Sequence, residues 1–149
     1  MSEQPATTNA KKILVVDDDE VILKTLSITL SSNGYYVYLA SDGAEAVRVV
    51  TRERPDLIVL DIIFPVDAAN VGGALQDGYF IMQWLRRMGE AEGIPIIIMS
   101  GENSPQEKEK SLKAGAVAYF SKPIDHVALL AKIGEVVGGG IKAAEVNPS

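Results

Sequence analysis

The sequence predicts a doubly wound α/β domain, in which five parallel strands form one sheet and five helices cover it. Short apolar runs alternate along the chain with segments of helical periodicity. The composition is globular, with 47% hydrophobic and 23% charged residues, and 149 residues are enough for one domain with a substantial core. Because strands that alternate with helices form βαβ units, we expect a parallel sheet.

Five short apolar runs are the candidate strands. The first is a continuous apolar run, as expected of a strand that is buried on both faces. The other four have a similar length and are separated by helical segments. The five predicted strands are residues 13–16, 36–40, 57–60, 96–99 and 117–120.

Five helical patterns follow these runs in turn. The first, third and fifth carry apolar residues on one face, and the second and fourth begin with a capping residue that is followed three positions later by glutamate. Pro105 stands at the first position of the fourth helix, where proline is favoured. The apolar stripes are Ile22, Leu26 and Leu30 in the first helix, which stops at Asn33 and Gly34; Ile81, Trp84, Leu85 and Met88 in the third; and Leu130, Ile133 and Val137 in the fifth. The second helix begins with the cap of Asp42 and Glu45 and continues to about Arg52. The fourth begins with Ser104 and Glu107 and ends at Ala114 and Gly115.

Polar residues stand at the carboxyl ends of four of the predicted strands. Asp17 and Asp18 follow the first strand, Asp61 the third and Ser100 the fourth, and Lys122 comes shortly after the fifth. In doubly wound sheets functional groups gather outside the carboxyl ends of the strands. We therefore expect three carboxylates, one hydroxyl and one ammonium to converge on a single edge.

Such a cluster suits phosphoryl chemistry on a carboxylate. Packed carboxylates repel one another, and Mg²⁺, which prefers oxygen ligands, relieves that repulsion. A carboxylate can form an aspartyl phosphate, while a lysine and a hydroxyl hold the phosphoryl oxygens. Each residue taken singly also has a structural explanation. Acidic residues after a strand often cap the next helix, and this is the expected role of Asp19.

Charge and composition exclude several other classes of protein. The net charge of −6 argues against nucleic acid as the main partner. The absence of cysteine excludes disulfides and thiolate chemistry. No apolar run is long enough to span a membrane, and the first ten residues lack a signal-peptide core, so we expect a soluble cytoplasmic protein. Residues 1–11 and 139–149 are predicted to be tails around a domain at 12–138.

The chain resembles the receiver domain of bacterial two-component response regulators over residues 12 to about 137. The resemblance is carried by ILVVDDD at 13–19, DIIFP at 61–65, IIMSG at 97–101, KAGA at 113–116 and YFSKP at 119–123. It implies a flavodoxin-like sheet with the strand order 2-1-3-4-5.

The resemblance also implies the roles of the clustered residues. Asp61 is the phosphoacceptor. Asp18 ligates Mg²⁺ directly and Asp17 largely through water, with the backbone carbonyl of Ile63 as a further metal ligand. Lys122 pairs with the acceptor and then with its phosphate.

Two further residues match the family's switch. Ser100 supplies the hydroxyl, and Tyr119 is the aromatic residue that turns inward when the hydroxyl moves toward the phosphate. The alternative for Tyr119 is an ordinary strand aromatic. The peptide bond between Lys122 and Pro123 is expected to be cis.

The chain departs from the family pattern beside the acceptor. Receivers pass from the proline after the acceptor to an Asp-Gly pair within a short loop, whereas here about nine extra residues intervene, so that an inserted loop covers about 66–77. This loop is either a tolerated surface insertion or a flap that gates access to Asp61. Ile63 cannot orient a hydrolytic water, so phosphate loss should be slow unless Glu102 or the loop substitutes.

The resemblance implies partners as well. The phosphoryl donor is a sensor histidine kinase or a histidine phosphotransfer protein. We expect no output domain after the fifth helix, so the signal leaves by contact with an unknown protein, from a monomer or a phosphorylation-dependent dimer. His126, the one histidine, is expected to be a solvated helix residue that carries no phosphate.

Two alternatives belong to other functional classes. One is a haloacid-dehalogenase-like phosphatase, for which the Asp-x-Asp after the first strand would supply Asp17 as nucleophile. That reading leaves Asp61 and Lys122 unexplained. The other is a receiver-like binding module that works without phosphorylation.

Overall fold

The computed structural model describes residues 10–62, 78–87, 93–101 and 104–138. Strands and helices alternate along the chain, as predicted. The strands are β1 (Lys12–Val16), β2 (Tyr36–Ala40), β3 (Leu57–Asp61), β4 (Ile96–Ser100) and β5 (Ala118–Ser121). The helices are α1 (Glu20–Ser32), α2 (Gly43–Glu53), α3 (Gly78–Arg87), α4 (Pro105–Lys113) and α5 (His126–Val137).

The five strands form one parallel sheet in the order β2-β1-β3-β4-β5. The predicted fold class and strand order are confirmed. Because every strand runs in the same direction, all five carboxyl ends lie along one edge of the sheet. This edge is where doubly wound proteins place their functional groups.

Three strands end one residue later than the sequence predicts. β3 includes Asp61, β4 includes Ser100, and β5 runs from Ala118 to Ser121. Backbone pairing does not require an apolar side chain, so Asp61 still pairs with Met99 in the ladder. Asp61 and Ser100 are therefore held by strand backbone rather than by a loop.

Side-chain caps fix the starts of four helices. Asp42 accepts a hydrogen bond from the Glu45 backbone N–H at 2.8 Å, and Ser104 accepts one from that of Glu107 at 3.1 Å. Both predicted caps are confirmed. Asp19 caps α1 and Asp125 caps α5 in the same way.

Apolar layers cover both faces of the sheet, because successive strand residues point to opposite sides. One layer contains residues of α2 and α3, and the other contains residues of α1 and α5. The buried helical residues include Ala46, Val50, Met82 and Leu85 on the first side and Leu26, Leu30, Leu129 and Ile133 on the second. The predicted stripe of α5 faces the second layer: Ile133 is fully buried, and Leu130 and Val137 are half-buried and pack against it. Leu129, which the stripe omits, is fully buried as well.

Several predictions fall outside the described residues. These are the inserted loop at 66–77, the C-terminal tail at 139–149, most of the N-terminal tail, and Met88 in the third helical stripe. Among the residues that the structure does describe, no helix combines the length and the apolar character needed to cross a membrane.

Candidate functional site

The carboxyl edge of the sheet brings Asp17, Asp18, Asp61 and Lys122 together. The Asp17 backbone N–H donates to the Ala40 carbonyl at 3.1 Å, so Asp17 continues the pairing of β1 with β2. Asp61 is the last residue of β3, and Lys122 directly follows β5. The predicted convergence of these four residues is what the structure shows.

Lys122 lies between two of the carboxylates. Its Nζ atom is 2.8 Å from Asp17 Oδ2 and 3.4 Å from Asp61 Oδ1. The side chain of Asp17 is fully buried and that of Asp61 is 5% exposed, while that of Lys122 is 22% exposed. The 2.8 Å contact is a charge-assisted hydrogen bond, which fixes the position of Lys122 relative to Asp17.

The expected pairing of Lys122 with the acceptor is present but is the longer of its two ion pairs. The shorter one, to Asp17, was not predicted. No sequence pattern ranks these two distances, because Lys122 reaches across the ends of β4 and β3 to either carboxylate.

The other oxygen of Asp17 is also engaged. Asp17 Oδ1 accepts a hydrogen bond from the Asp19 backbone N–H at 2.9 Å. Asp19 in turn accepts from the Val21 backbone N–H at 2.9 Å and so caps α1. The expected structural role of Asp19 is confirmed. Asp18, between them, is exposed to solvent.

The three carboxylates suit a divalent cation. Asp17, Asp18 and Asp61 each offer an oxygen, and these oxygens lie within 4.8 Å of one another. With Lys122 the cluster carries three negative charges and one positive charge, a net charge of −2 that one divalent ion neutralises. Carboxylate oxygens are the ligands that Mg²⁺ prefers, and the exposed side chain of Asp18 leaves one side open to water.

Lys122 remains positively charged in this environment. Burial alone lowers the pKa of Lys122, but the hydrogen bond to Asp17 and the negative charge of Asp61 outweigh burial. The pKa of Lys122 therefore lies above its ordinary value. The cluster has a permanent cation that can hold anionic oxygens at neutral pH.

Ser100 and Tyr119 lie on the neighbouring strands β4 and β5. Ser100 is fully buried, pairs with Ser121 in the ladder, and its carbonyl accepts from the Lys122 backbone N–H at 2.7 Å. Tyr119 is half-buried and packs against the core layer that contains α2 and α3. The peptide bond between Lys122 and Pro123 is cis, as expected.

Two residues of the predicted site lie outside the described residues. They are Ile63, proposed as a backbone metal ligand, and Glu102, the possible substitute for orienting water. His126 is described, and its interpretation as a solvated residue is wrong. It is half-buried, and its Nδ1 atom shares a hydrogen bond of 2.9 Å with the Thr29 hydroxyl on α1.

The geometry argues against a phosphatase with Asp17 as nucleophile. Asp17 is fully buried, and both of its oxygens accept hydrogen bonds, one from Lys122 and one from the Asp19 backbone. The second aspartate of the Asp-x-Asp pair caps a helix. Both aspartates of that pair are thus engaged in structural contacts within the protein.

Known proteins with similar sequences are response regulators. The family model described as the response regulator receiver domain matches residues 13–134. The response regulator MprA of Mycobacterium leprae is 39% identical over 122 residues, which are 82% of this chain and 49% of MprA. The chain thus spans about half the length of the curated relatives that it matches.

Solved structures with a similar fold include a response regulator and a receiver domain. The chemotaxis response regulator CheY4 of Vibrio cholerae superposes with a TM-score of 0.74 at 30% identity, covering 86% of this chain and 99% of CheY4. The receiver domain of a sensor histidine kinase of Pseudomonas aeruginosa, solved with a magnesium ion coordinated in its active-site cleft, gives a TM-score of 0.73 at 30% identity and covers 87% of this chain and 99% of that domain. The fold, the cluster and these similarities together show that the chain belongs to the response regulator receiver domain family.

Proposed function

We propose that this receiver domain is a phosphorylation-activated switch that accepts a phosphoryl group on Asp61 with Mg²⁺ bound beside it. The observation that carries the proposal is the convergence of Asp17, Asp18, Asp61 and Lys122 on one edge of the sheet. Membership of the family supports a histidine kinase or a histidine phosphotransfer protein as the donor. The proposal includes a cytoplasmic location, as expected from the sequence.

The transfer is a substitution at phosphorus. A carboxylate oxygen of Asp61 forms a bond to the phosphorus atom as the bond to the donor's imidazole nitrogen breaks, and the bonding electron pair leaves with the imidazole. Asp61 is rigidly placed for this step because it belongs to β3. Mg²⁺, when bound, neutralises charge on the carboxylates and the phosphoryl oxygens.

Lys122 and Ser100 hold the transferred group. The Lys122 ammonium lies 3.4 Å from Asp61 Oδ1, so it is within reach of an oxygen on a phosphoryl group bound there. Ser100 ends the neighbouring strand β4 and contributes its hydroxyl on the same edge. We propose that Tyr119, on β5, responds to the position of this hydroxyl and passes the change to the surface formed by α4, β5 and α5.

The downstream step is contact with another protein. Ile63 stands two residues after the acceptor and has no polar side chain to orient water. We therefore propose that the phosphoryl group persists longer than in receivers with a polar residue at that position, which the decay of the phosphorylated protein would measure.

The test is phosphorylation of the purified protein by acetyl phosphate, followed by intact mass. We expect a gain of one phosphoryl group with Mg²⁺, no gain with EDTA, and no gain in Asp61→Asn. Asp56→Asn is the matched control, because Asp56 precedes β3 at the opposite, amino edge of the sheet, and asparagine can still accept the hydrogen bond from the Lys12 backbone N–H.

Either of two results would contradict the proposal. One is a gain of mass in Asp61→Asn equal to that of the unmodified protein. The other is the absence of any gain with acetyl phosphate and with a phosphorylated histidine donor, which would favour the binding module that works without phosphorylation.

A further inference from the structure

Both oxygens of the Asp17 carboxylate accept hydrogen bonds within the protein. Its Oδ2 atom accepts from Lys122 at 2.8 Å, and its Oδ1 atom accepts from the Asp19 backbone N–H at 2.9 Å. The side chain is fully buried. A buried carboxylate needs a compensating charge, and Lys122 supplies it.

Lys122 divides its charge unequally between its two neighbours. The distance to Asp61 is 0.6 Å longer than the distance to Asp17, from 3.4 Å and 2.8 Å. A divalent cation held by the same carboxylates, whose oxygens lie within 4.8 Å of one another, would be a near neighbour of this ammonium. Two cations at such a distance repel each other, and a partly buried site screens the repulsion poorly.

We propose that Lys122 competes with the divalent cation for Asp17, so that the ion pair between Lys122 and Asp17 lowers the metal affinity of the resting site. This inference rests on the proposed function, since it concerns the same cluster. In the absence of metal, Lys122 lies closer to Asp17 than to the acceptor Asp61.

The competition gives the site an order of events. Asp18 is exposed and provides the open side of the cluster, whereas the buried Asp17 holds Lys122 through Oδ2. In the proposed order, the cation engages Asp17 as Lys122 gives way. When Lys122 leaves Asp17, its remaining carboxylate neighbour in the cluster is Asp61. Binding of the cation and movement of the Lys122 ammonium toward Asp61 are thus coupled.

The first test measures binding of Mn²⁺ by the loss of the EPR signal of the free ion. We expect Lys122→Met to bind Mn²⁺ about tenfold more tightly or better than the unmodified protein, because the variant removes a cation from the site. Lys132→Met is the matched control. Lys132 lies on α5, paired with Glu135 at 3.5 Å, and its variant should bind within about twofold of the unmodified protein.

An affinity of Lys122→Met that equals or falls below that of the unmodified protein would overturn the inference and leave the proposed function standing. Failure of Mn²⁺ and Mg²⁺ to bind to the unmodified protein would overturn both, since the cation is part of the proposed function. Metal binding by the unmodified protein distinguishes these two outcomes.

The second test needs no variant and therefore does not depend on the folding of Lys122→Met. The coupling across the hydrogen bond between the Lys122 ammonium nitrogen and the Asp17 carboxylate carbon is measured by NMR, with Lys122 assigned through its side-chain carbons. We expect the coupling to be present without metal and to disappear at saturating Mg²⁺. A coupling that persists in the metal-saturated protein would show that Lys122 does not leave Asp17 and would overturn the inference.

Discussion

At the residue scale, three consecutive aspartates after β1 have three different environments. Asp17 is buried and pairs with Lys122, Asp18 is exposed beside the other carboxylates, and Asp19 caps α1. The difference arises because each side chain leaves the backbone in a different direction at the end of the strand. The end of β1 and the start of α1 thus place three identical side chains in three different environments.

Tyr38 provides a pH-dependent contribution to stability. Burial and the hydrogen bond to Glu53, 3.0 Å long, raise the pKa of Tyr38 to about 12. Because the unfolded state ionises near pH 10, the native state gains stability from neutral Tyr38 that is complete below pH 10 and is lost as the pH rises toward 12.

We expect the free energy of unfolding in urea to fall between pH 10 and pH 12, with a smaller fall in Tyr38→Phe than in the unmodified protein. Tyr36→Phe, which changes the adjacent ring on the same strand, is the control and should keep the full decline. A decline in Tyr38→Phe as steep as that of the unmodified protein would contradict this assignment.

At the element scale, two glycines have opposite constraints. Gly134 lies inside α5, where an added Cβ would meet only the Tyr35 hydroxyl at an ordinary contact distance of 3.9 Å. Gly115 ends α4 with a φ of +114°, which residues with a side chain rarely adopt. The helix therefore tolerates alanine and the turn does not.

The corresponding variants should shift stability in opposite directions. Gly134→Ala should raise the free energy of unfolding by about 0.5–1 kcal/mol, because alanine is the better helix former. Gly115→Ala should lower it by about 1 kcal/mol or more, because of the strained backbone. Urea unfolding measures both, and destabilisation by Gly134→Ala would show that Tyr35 does not leave the space for a methyl group.

Arg86 links α3 to the two turns that precede β4 and β5. Its guanidinium donates to the Ile94 carbonyl at 2.9 Å and to the Gly115 carbonyl at 3.1 Å. We expect Arg86→Met to lose about 1–3 kcal/mol of stability, since two carbonyl partners of a charged donor are left without it. Arg87→Met, at the neighbouring exposed position, should change stability by less than about 0.5 kcal/mol. Equal effects of the two variants in urea unfolding would contradict this role of Arg86.

At the scale of the whole molecule, the sequence predicts the features that follow from periodicity and chain direction. The alternation of strands and helices, the parallel sheet and the edge that collects Asp17, Asp61 and Lys122 all follow from such patterns. The preference of Lys122 for Asp17 and the contact of His126 with Thr29 do not, because they depend on side-chain conformations across elements that are distant in sequence. The sequence predicts the end of β3 one residue too early, because the apolar run stops at Leu60 while backbone pairing continues to Asp61.

The whole fold should respond to the cation that the cluster is proposed to bind. Asp18 and Asp61 come from different parts of the chain and meet only in the native sheet, so a cation held by both binds the native state and not the unfolded chain. At a free concentration about 100 times its dissociation constant, such a ligand adds about 2.7 kcal/mol to the free energy of unfolding.

We therefore expect Mg²⁺ to raise the urea midpoint of the unmodified protein in proportion to the logarithm of its concentration above the dissociation constant. Asp18→Asn should lose most of this increase, because it removes the exposed ligand, while Asp56→Asn, at the opposite edge of the sheet, should keep it. If Asp18→Asn gained as much stability from Mg²⁺ as Asp56→Asn, the stabilising ion would have to bind elsewhere. Lys122 would then be the cation that balances Asp17 and Asp61 in the native protein.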